Sequence, residues 1–145
     1  MSENRKNFMA PVIGEIYMMK FEGEGNVQNG WRPGVVFQNN VGNIYSPNII
    51  ALPVTCSIKK LNQPTHVVLK SEESGLERDG MVLCENPTTI SKKQIGRYLA
   101  KLSDKIMQKI AYASILATAS ASFLDDEDLI EARRIAIHLN EISSE

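Results

Sequence analysis

Up to about residue 102 the apolar residues come in short runs of strand length, and after it they recur at helical spacing. Residues 12–21 (VIGEIYMMKF) are rich in β-branched and aromatic side chains and predict a first strand. Residues 22–30 (EGEGNVQNG) hold three Gly and two Asn with almost no apolar content, which predicts a flexible loop. Residues 33–38 (PGVVFQ) and 49–55 (IIALPVT) predict two more strands, joined by the polar, turn-rich connection NNVGNIYSPN. Pro53 brings no amide N–H to a ladder, so the middle of the second run is expected at a sheet edge or a bulge. Residues 66–70 and 81–85 predict two further short strands, bounded by Pro64 and by SEESGLERDG. Strands at this spacing, without helices between them, predict a small barrel-like all-β unit rather than a βαβ protein.

The period then changes. Ser91 is placed to cap a short turn over 92–95, and residues 97–102 (RYLAKL) can close the sheet as a last strand. Ser103 caps a helix expected over 104–121, with Ile106, Ile110, Ala113 and Ala117 on one stripe. Asp125 caps a final helix of about 125–142 whose first turn carries Asp126, Glu127 and Asp128 at the positive end of the dipole. Leu129, Ala132, Ala136 and Leu139 give that helix an apolar stripe, and Ile130, Ile137 and Ile142 lie outside it. The fold class is therefore mainly β with C-terminal helices, divided into a body of 12–121 and an acidic helical extension of 122–145.

Composition adds limits. The chain has 145 residues, 43% hydrophobic and 23% charged, which fits one globular domain. No apolar run is long enough for a membrane span, and the first residues lack the apolar core of an export signal. Two cysteines, Cys56 and Cys84, then read as free thiols in a reducing cytoplasm. Net charge divides unevenly: residues 1–121 carry +4 and residues 122–145 carry −5. A mildly basic body permits a local phosphate-binding groove without making the protein a general nucleic-acid binder.

Few motifs carry chemistry on their own. The Gly-rich loop lacks the spacing and the Lys-Ser/Thr of a phosphate loop, and the two Cys and two His make no paired zinc-ligand set. His66 in a strand and His138 on a helix read as a packed and a solvated histidine. Polar residues gather instead at strand ends: Asn26, Gln28, Asn29 and Arg32, then Thr55 and Ser57, then Glu85 and Asn86.

Read together, these blocks resemble the MazF/PemK toxin family. They are GEIY at 14–17, GNVQNGWRPGVVFQNN at 25–40, GNIYSPN at 42–48, Val54-Thr55, PTHV at 64–67 and ERDG at 77–80, in the family's order and spacing. The resemblance spans about residues 12–120. It implies a small SH3-like β-barrel with a C-terminal helix, assembled as a homodimer. It also implies a cytoplasmic endoribonuclease that uses no metal or other cofactor and cuts single-stranded RNA at a short sequence through attack by the 2′-hydroxyl. A cognate antitoxin would be its protein partner, and contact with DNA would come only through the antitoxin complex. Arg32 matches the family's catalytic arginine and Thr55 its threonine after the third strand. Asn26 and Gln28 match the loop that shapes the groove, Ser57 follows Thr55, and Glu85 and Asn86 match a Glu-Gln pair that contacts RNA.

The physical roles agree with those matches. A guanidinium fork suits a phosphorane-like dianion and never deprotonates, and a threonine hydroxyl can add a hydrogen bond to the same phosphate. Asn and Gln side chains read the edges of unstacked bases. After Glu85, where the family commonly carries Gln-x-Arg-Thr-Ile, this chain has Asn86-Pro87-Thr88-Thr89-Ile90. Loss of that arginine favours a silent RNA- or protein-binding relative, while retention of Arg32 and Thr55 favours the enzyme. A gyrase poison of the CcdB kind is argued against by the Arg-Pro and Pro-Thr-His blocks.

Overall fold

A computed structural model of the chain describes residues 10–23, 30–57 and 63–142. Among these residues there are seven antiparallel strands: β1 (Glu15–Phe21), β2 (Gly30–Val36), β3 (Asn48–Thr55), β4 (His66–Leu69), β5 (Gly80–Leu83), β6 (Thr88–Ser91) and β7 (Ile95–Lys101). Their order is β4-β5-β3-β2-β1-β7, with β6 paired to β3 off that path. β3 is the hub: one edge pairs with β2, while the other pairs with β6 along residues 48–51 and with β5 at Val54 and Thr55. The sheet is open among the described residues, coiled toward a barrel rather than closed into one. Among the described residues four α-helical segments join it: α1 (Asn40–Tyr45), the single turn α2 (Ser71–Ser74), α3 (Asp104–Thr118) and α4 (Asp126–Asn140).

The curled sheet has apolar side chains on both faces, and each face has its own core. Ile16, Val35, Leu52, Val54, Val82 and Leu69 pack with Ile106, Ile110 and Ala113 of α3. Tyr17, Met19, Phe21, Val36, Ile49, Ala51 and Ile90 form the second cluster. Gly34 is required against the second cluster, because a Cβ there would meet Met19 Sδ at 2.6 Å and Phe21 Cζ at 2.9 Å.

Three expectations are corrected. Pro53 lies in a central strand, not at an edge; it stands opposite Gly34 in the last pair of the β2–β3 ladder, where a missing N–H costs least. The connection NNVGNIYSPN holds helix α1, which side-chain amides stabilise in place of an apolar stripe. Asn39 accepts from the Gly42 N–H at 2.9 Å, and the buried Asn43 amide donates to Gln38 O at 2.8 Å. The helix expected over 104–121 stops at Thr118, because Ala119 turns left-handed (φ 56) before a short 3₁₀ turn over Ser120–Phe123. The Ser103 cap holds as expected, accepting from Ile106 N–H at 3.3 Å.

The acidic extension forms its helix, with Asp125 and Asp128 capping each other's N–H groups. No residue of α4 is buried. Its C-terminal end is tied to α1, where Asn40 donates its N–H to Asn140 Oδ1 (3.2 Å) and its side-chain amide to Asn140 O (2.9 Å). α1 follows the Val36 end of β2, so this tie lies at the opposite end of that strand from Arg32. Among the described residues no helix is long and apolar enough to cross a membrane.

Candidate functional site

β2 pairs with β1 from Gly30 to Val35 but with β3 only from Gly34 onward. The register places Gly34 opposite Pro53 and Val35 opposite Leu52. Continued two residues outward, it sets Arg32 against Thr55. Pro33 and Pro53 carry no N–H to extend the ladder, so the strands part at this point. Their parted ends line an open cleft of about 550 Å³ that also receives Trp31, Arg78, Arg97 and Tyr98.

Each side chain at the cleft is placed by local chemistry. Arg32 is half-buried, with its Nε out of contact with solvent. The Thr55 hydroxyl accepts from the Ser57 N–H at 3.1 Å, which leaves its own proton to donate elsewhere. The facing wall is the 75–80 loop. Gly75 (φ +83) ends the α2 turn, and Gly80 presses against Val54 and Thr55, where a Cβ would come within 2.9 Å of Val54 Cγ1. Asp79 in this loop accepts from Ser71 N–H at 2.8 Å and lies 3.6 Å from Lys70 Nζ, both partners on the side of α2. Three guanidiniums, Arg32, Arg78 and Arg97, thus share the cleft with two carboxylates, Glu77 and Asp79, which leaves its lining positive by one charge.

β7 supplies the remaining wall. Its pairing with β1 runs Ile16↔Ala100, Tyr17↔Tyr98 and Met19↔Ile95, so one extra residue enters β7 at each of two register shifts. Such bulges bend a strand and re-aim its side chains. The second shift spans Gly96 and Arg97, and Arg97 stands exposed at the cleft. Tyr98 is held edge-on against Tyr17 with ring centroids 5.5 Å apart.

The sequence-derived candidates divide accordingly. Arg32 and Thr55 are brought together, and Ser57 sits exposed just past β3, its backbone bonded to Thr55. Asn26 and Gln28 lie outside the described residues. Glu85 and Asn86 are not among the residues that line the cleft. Thr55 pairs with Met81 at the start of β5, whereas Glu85 lies past the far end of that strand and engages His66 Nε2 at 2.7 Å. Asn86 belongs to the turn after β5, with its N–H on Leu83 O and its carbonyl accepting from Thr88. His66 is packed, as read from the sequence; its side chain is 9% exposed.

Trp31, Arg78 and Arg97 join the site without having been singled out. Trp31 and Arg78 stood inside recognised blocks, while only the bulge brings Arg97 into position. Both thiols are free: Cys56 is exposed at the cleft, and burial pushes the Cys84 thiol up to about 11. No three His, Cys, Asp or Glu side chains gather as metal ligands among the described residues.

The comparisons with known proteins bear on the family and the fold. The model of the PemK-like, MazF-like toxins of type II toxin–antitoxin systems matches residues 13–116. Endoribonuclease EndoA of Bacillus subtilis is 36% identical over 99 residues, which cover 68% of this chain and 85% of EndoA. A solved endoribonuclease from a mycobacterial species superposes with a TM-score of 0.64 at 26% identity, over 77% of this chain and 95% of the other. MazF from Deinococcus radiodurans shares the fold, with a TM-score of 0.66 at 21% identity over 76% and 97% of the two chains. With the family model covering the whole sheet and most of α3, this chain belongs to the PemK-like, MazF-like toxin family of type II toxin–antitoxin systems.

Proposed function

We propose that the protein is an endoribonuclease toxin that cuts single-stranded RNA in the cleft between the parted ends of β2 and β3. The observation that carries this reading is the convergence of Arg32 and Thr55 there, beside Arg78 and Arg97. EndoA and the mycobacterial relative bear the name endoribonuclease, which supports the same activity. In this mechanism the substrate's own 2′-hydroxyl gives up its proton as its oxygen attacks the adjacent phosphorus, the bond to the 5′-oxygen breaks as that oxygen takes up a proton, and the upstream fragment keeps a 2′,3′-cyclic phosphate. The chain's task is to stabilise the dianionic phosphorane and to move protons. Arg32 supplies a fixed double donor to the phosphate oxygens, and its partial burial strengthens that interaction over one in bulk water. Thr55 donates a hydrogen bond to the same phosphate through the hydroxyl proton left uncommitted by its bond from Ser57. The reaction draws on no metal or other cofactor.

Asn26 and Gln28 read bases from the adjoining loop, Ser57 extends the backbone path from Thr55, and Glu85 and Asn86 contact a more distant part of the RNA. The cleavage site is a short sequence. The protein acts in the cytoplasm, where its two free thiols persist.

A cognate antitoxin and a second copy of the chain are the protein partners. A mycobacterial endoribonuclease has been solved in complex with its cognate antitoxin, and MazF of D. radiodurans together with MazE. Tyr112, Ile115, Leu116 and Phe123 stand exposed on the outer side of α3 and the turn after it, apolar surface suited to a self-association interface. The acidic extension of 122–145 is a separable appendix to the toxin body. Single-residue changes test the assignment: Arg32→Ala lowers cleavage of a long unstructured RNA by about a hundredfold or more, the scale of losing one preorganised donor. Thr55→Ala lowers it less, since a neutral hydroxyl stabilises a dianion less than a guanidinium does. RNA binding with no cleavage by the wild-type chain selects the silent relative instead.

A further inference from the structure

Trp31 precedes the proposed catalytic arginine and is 55% exposed, an unusual state for the largest apolar side chain of a small domain. Tyr45, Tyr112 and Phe123 are also exposed, but among these four aromatic residues Trp31 alone lines the cleft. Its position is built by the sheet. Trp31 pairs with Lys20 on β1, and its ring reaches across β1 to β7, where a Cβ on Gly96 would stand only 3.1 Å from Trp31 Cζ3. Gly96 lies in the bulged stretch of β7, so the same irregularity that aims Arg97 also leaves a bare backbone for the indole to rest on. The ring is thus supported from one side and open on the other, with Arg32 and Arg97 in the same cleft.

We infer that Trp31 is a base-stacking platform, holding one unpaired nucleobase of the RNA beside the phosphate that Arg32 engages. An unpaired base presents an apolar π-face of matching size, and the guanidiniums around the ring match the charge of the backbone that carries it. Stacking tolerates every base, so Trp31 contributes affinity and positioning of the scissile step. Sequence is left to groups that read base edges. The inference rests on the proposed RNA-cleaving function.

Trp31 is the chain's one tryptophan, so its fluorescence reports the subsite directly. The probes are a short mixed-sequence 2′-O-methyl RNA, which lacks the attacking hydroxyl, and a backbone-matched oligomer of abasic units. The base-bearing strand quenches the fluorescence at saturation and the abasic strand does not. Trp31→Ala weakens binding of the base-bearing strand by about 5- to 150-fold and leaves the abasic strand unchanged, while Trp31→Phe retains most of the affinity. With cleavable RNA, Trp31→Ala raises KM more than it lowers kcat. Gly96→Ala, which displaces the ring without removing it, reproduces part of the Trp31→Ala effect. Equal quenching by both strands, or equal loss of affinity for both in Trp31→Ala, overturns the stacking role. So does an unchanged RNA affinity together with a weakened dimer, which would assign Trp31 to a contact between copies. If Trp31→Ala cleaves and binds like the wild type, the inference falls and the nuclease reading stands; wild-type protein that neither binds nor cuts RNA removes both.

Discussion

Gly34→Ala perturbs the strand that carries Arg32 and tests whether the second cluster is packed as tightly as described. The added methyl would lie 2.6 Å from Met19 Sδ and 2.9 Å from Phe21 Cζ, about an ångström inside ordinary contact. Met19 and Phe21 are both essentially unexposed, within a cluster that includes Tyr17, Ile49 and Ile90, so neither can swing into solvent. Overpacking of this kind costs about 1–3 kcal/mol. Alanine's smaller unfolded-state entropy returns roughly 0.4–1 kcal/mol of it. A net loss of about 1–2 kcal/mol remains, or a fall in Tm of roughly 3–7 °C for a chain of this size. Thermal unfolding followed by circular dichroism measures it, with Met19→Ala and the double variant completing a cycle. In the Met19→Ala background the new methyl occupies vacated space, so the two changes should couple by at least about 1 kcal/mol. A Gly34→Ala protein with unchanged Tm, or a double variant whose losses simply add, refutes this account of the packing.

Other perturbations separate structure from chemistry. At pH 8 a thiol reagent should label the exposed Cys56 quickly and Cys84 only at the rate of unfolding, because burial raises the Cys84 thiol to about 11. The unfolded chain releases that proton first, so stability should fall as pH rises from the ordinary thiol range toward 11; a flat alkaline profile would contradict it. His66→Ala breaks the 2.7 Å contact with Glu85 and should cost about 1–2 kcal/mol of stability while kcat on a cleavable RNA stays within about twofold. A large kcat loss at unchanged Tm would move His66 into the machinery. Asn140→Ala removes an acceptor for the Asn40 N–H and should speed hydrogen exchange throughout α4, with cleavage unaltered. Protection of α4 that survives the change would show that other contacts hold it.

How much of this was legible in the sequence follows from where the information resides. Strands β1 to β5 and β7 announced themselves because apolar runs and turn residues are local signals, and Ser103 and Asp125 did so as helix caps. Helix α1 did not, since six residues containing a glycine have no readable period and are held by the Asn39, Asn40 and Asn43 amides. β6 is four residues long with only Ile90 buried, too short to signal itself. The Arg32–Thr55 pairing was reached through resemblance, and the register now gives it a geometric basis, two steps beyond Gly34 and Pro53. Arg97 and the seat of Trp31 depend on a bulge in β7, which is a property of two strands together and has no one-strand signature. Glu85 illustrates the opposite case: its match placed it with the RNA, while its nearest polar partner in the fold is His66.

The most direct test of the central claim is the end-group chemistry of a long unstructured RNA incubated with the purified chain in excess EDTA. The account predicts cleavage that persists in the chelator and leaves a 2′,3′-cyclic phosphate on each upstream fragment, with the products lost in Arg32→Ala. Fragments ending in a 3′-hydroxyl, or cleavage that the chelator abolishes, would contradict it and point to metal-assisted hydrolysis.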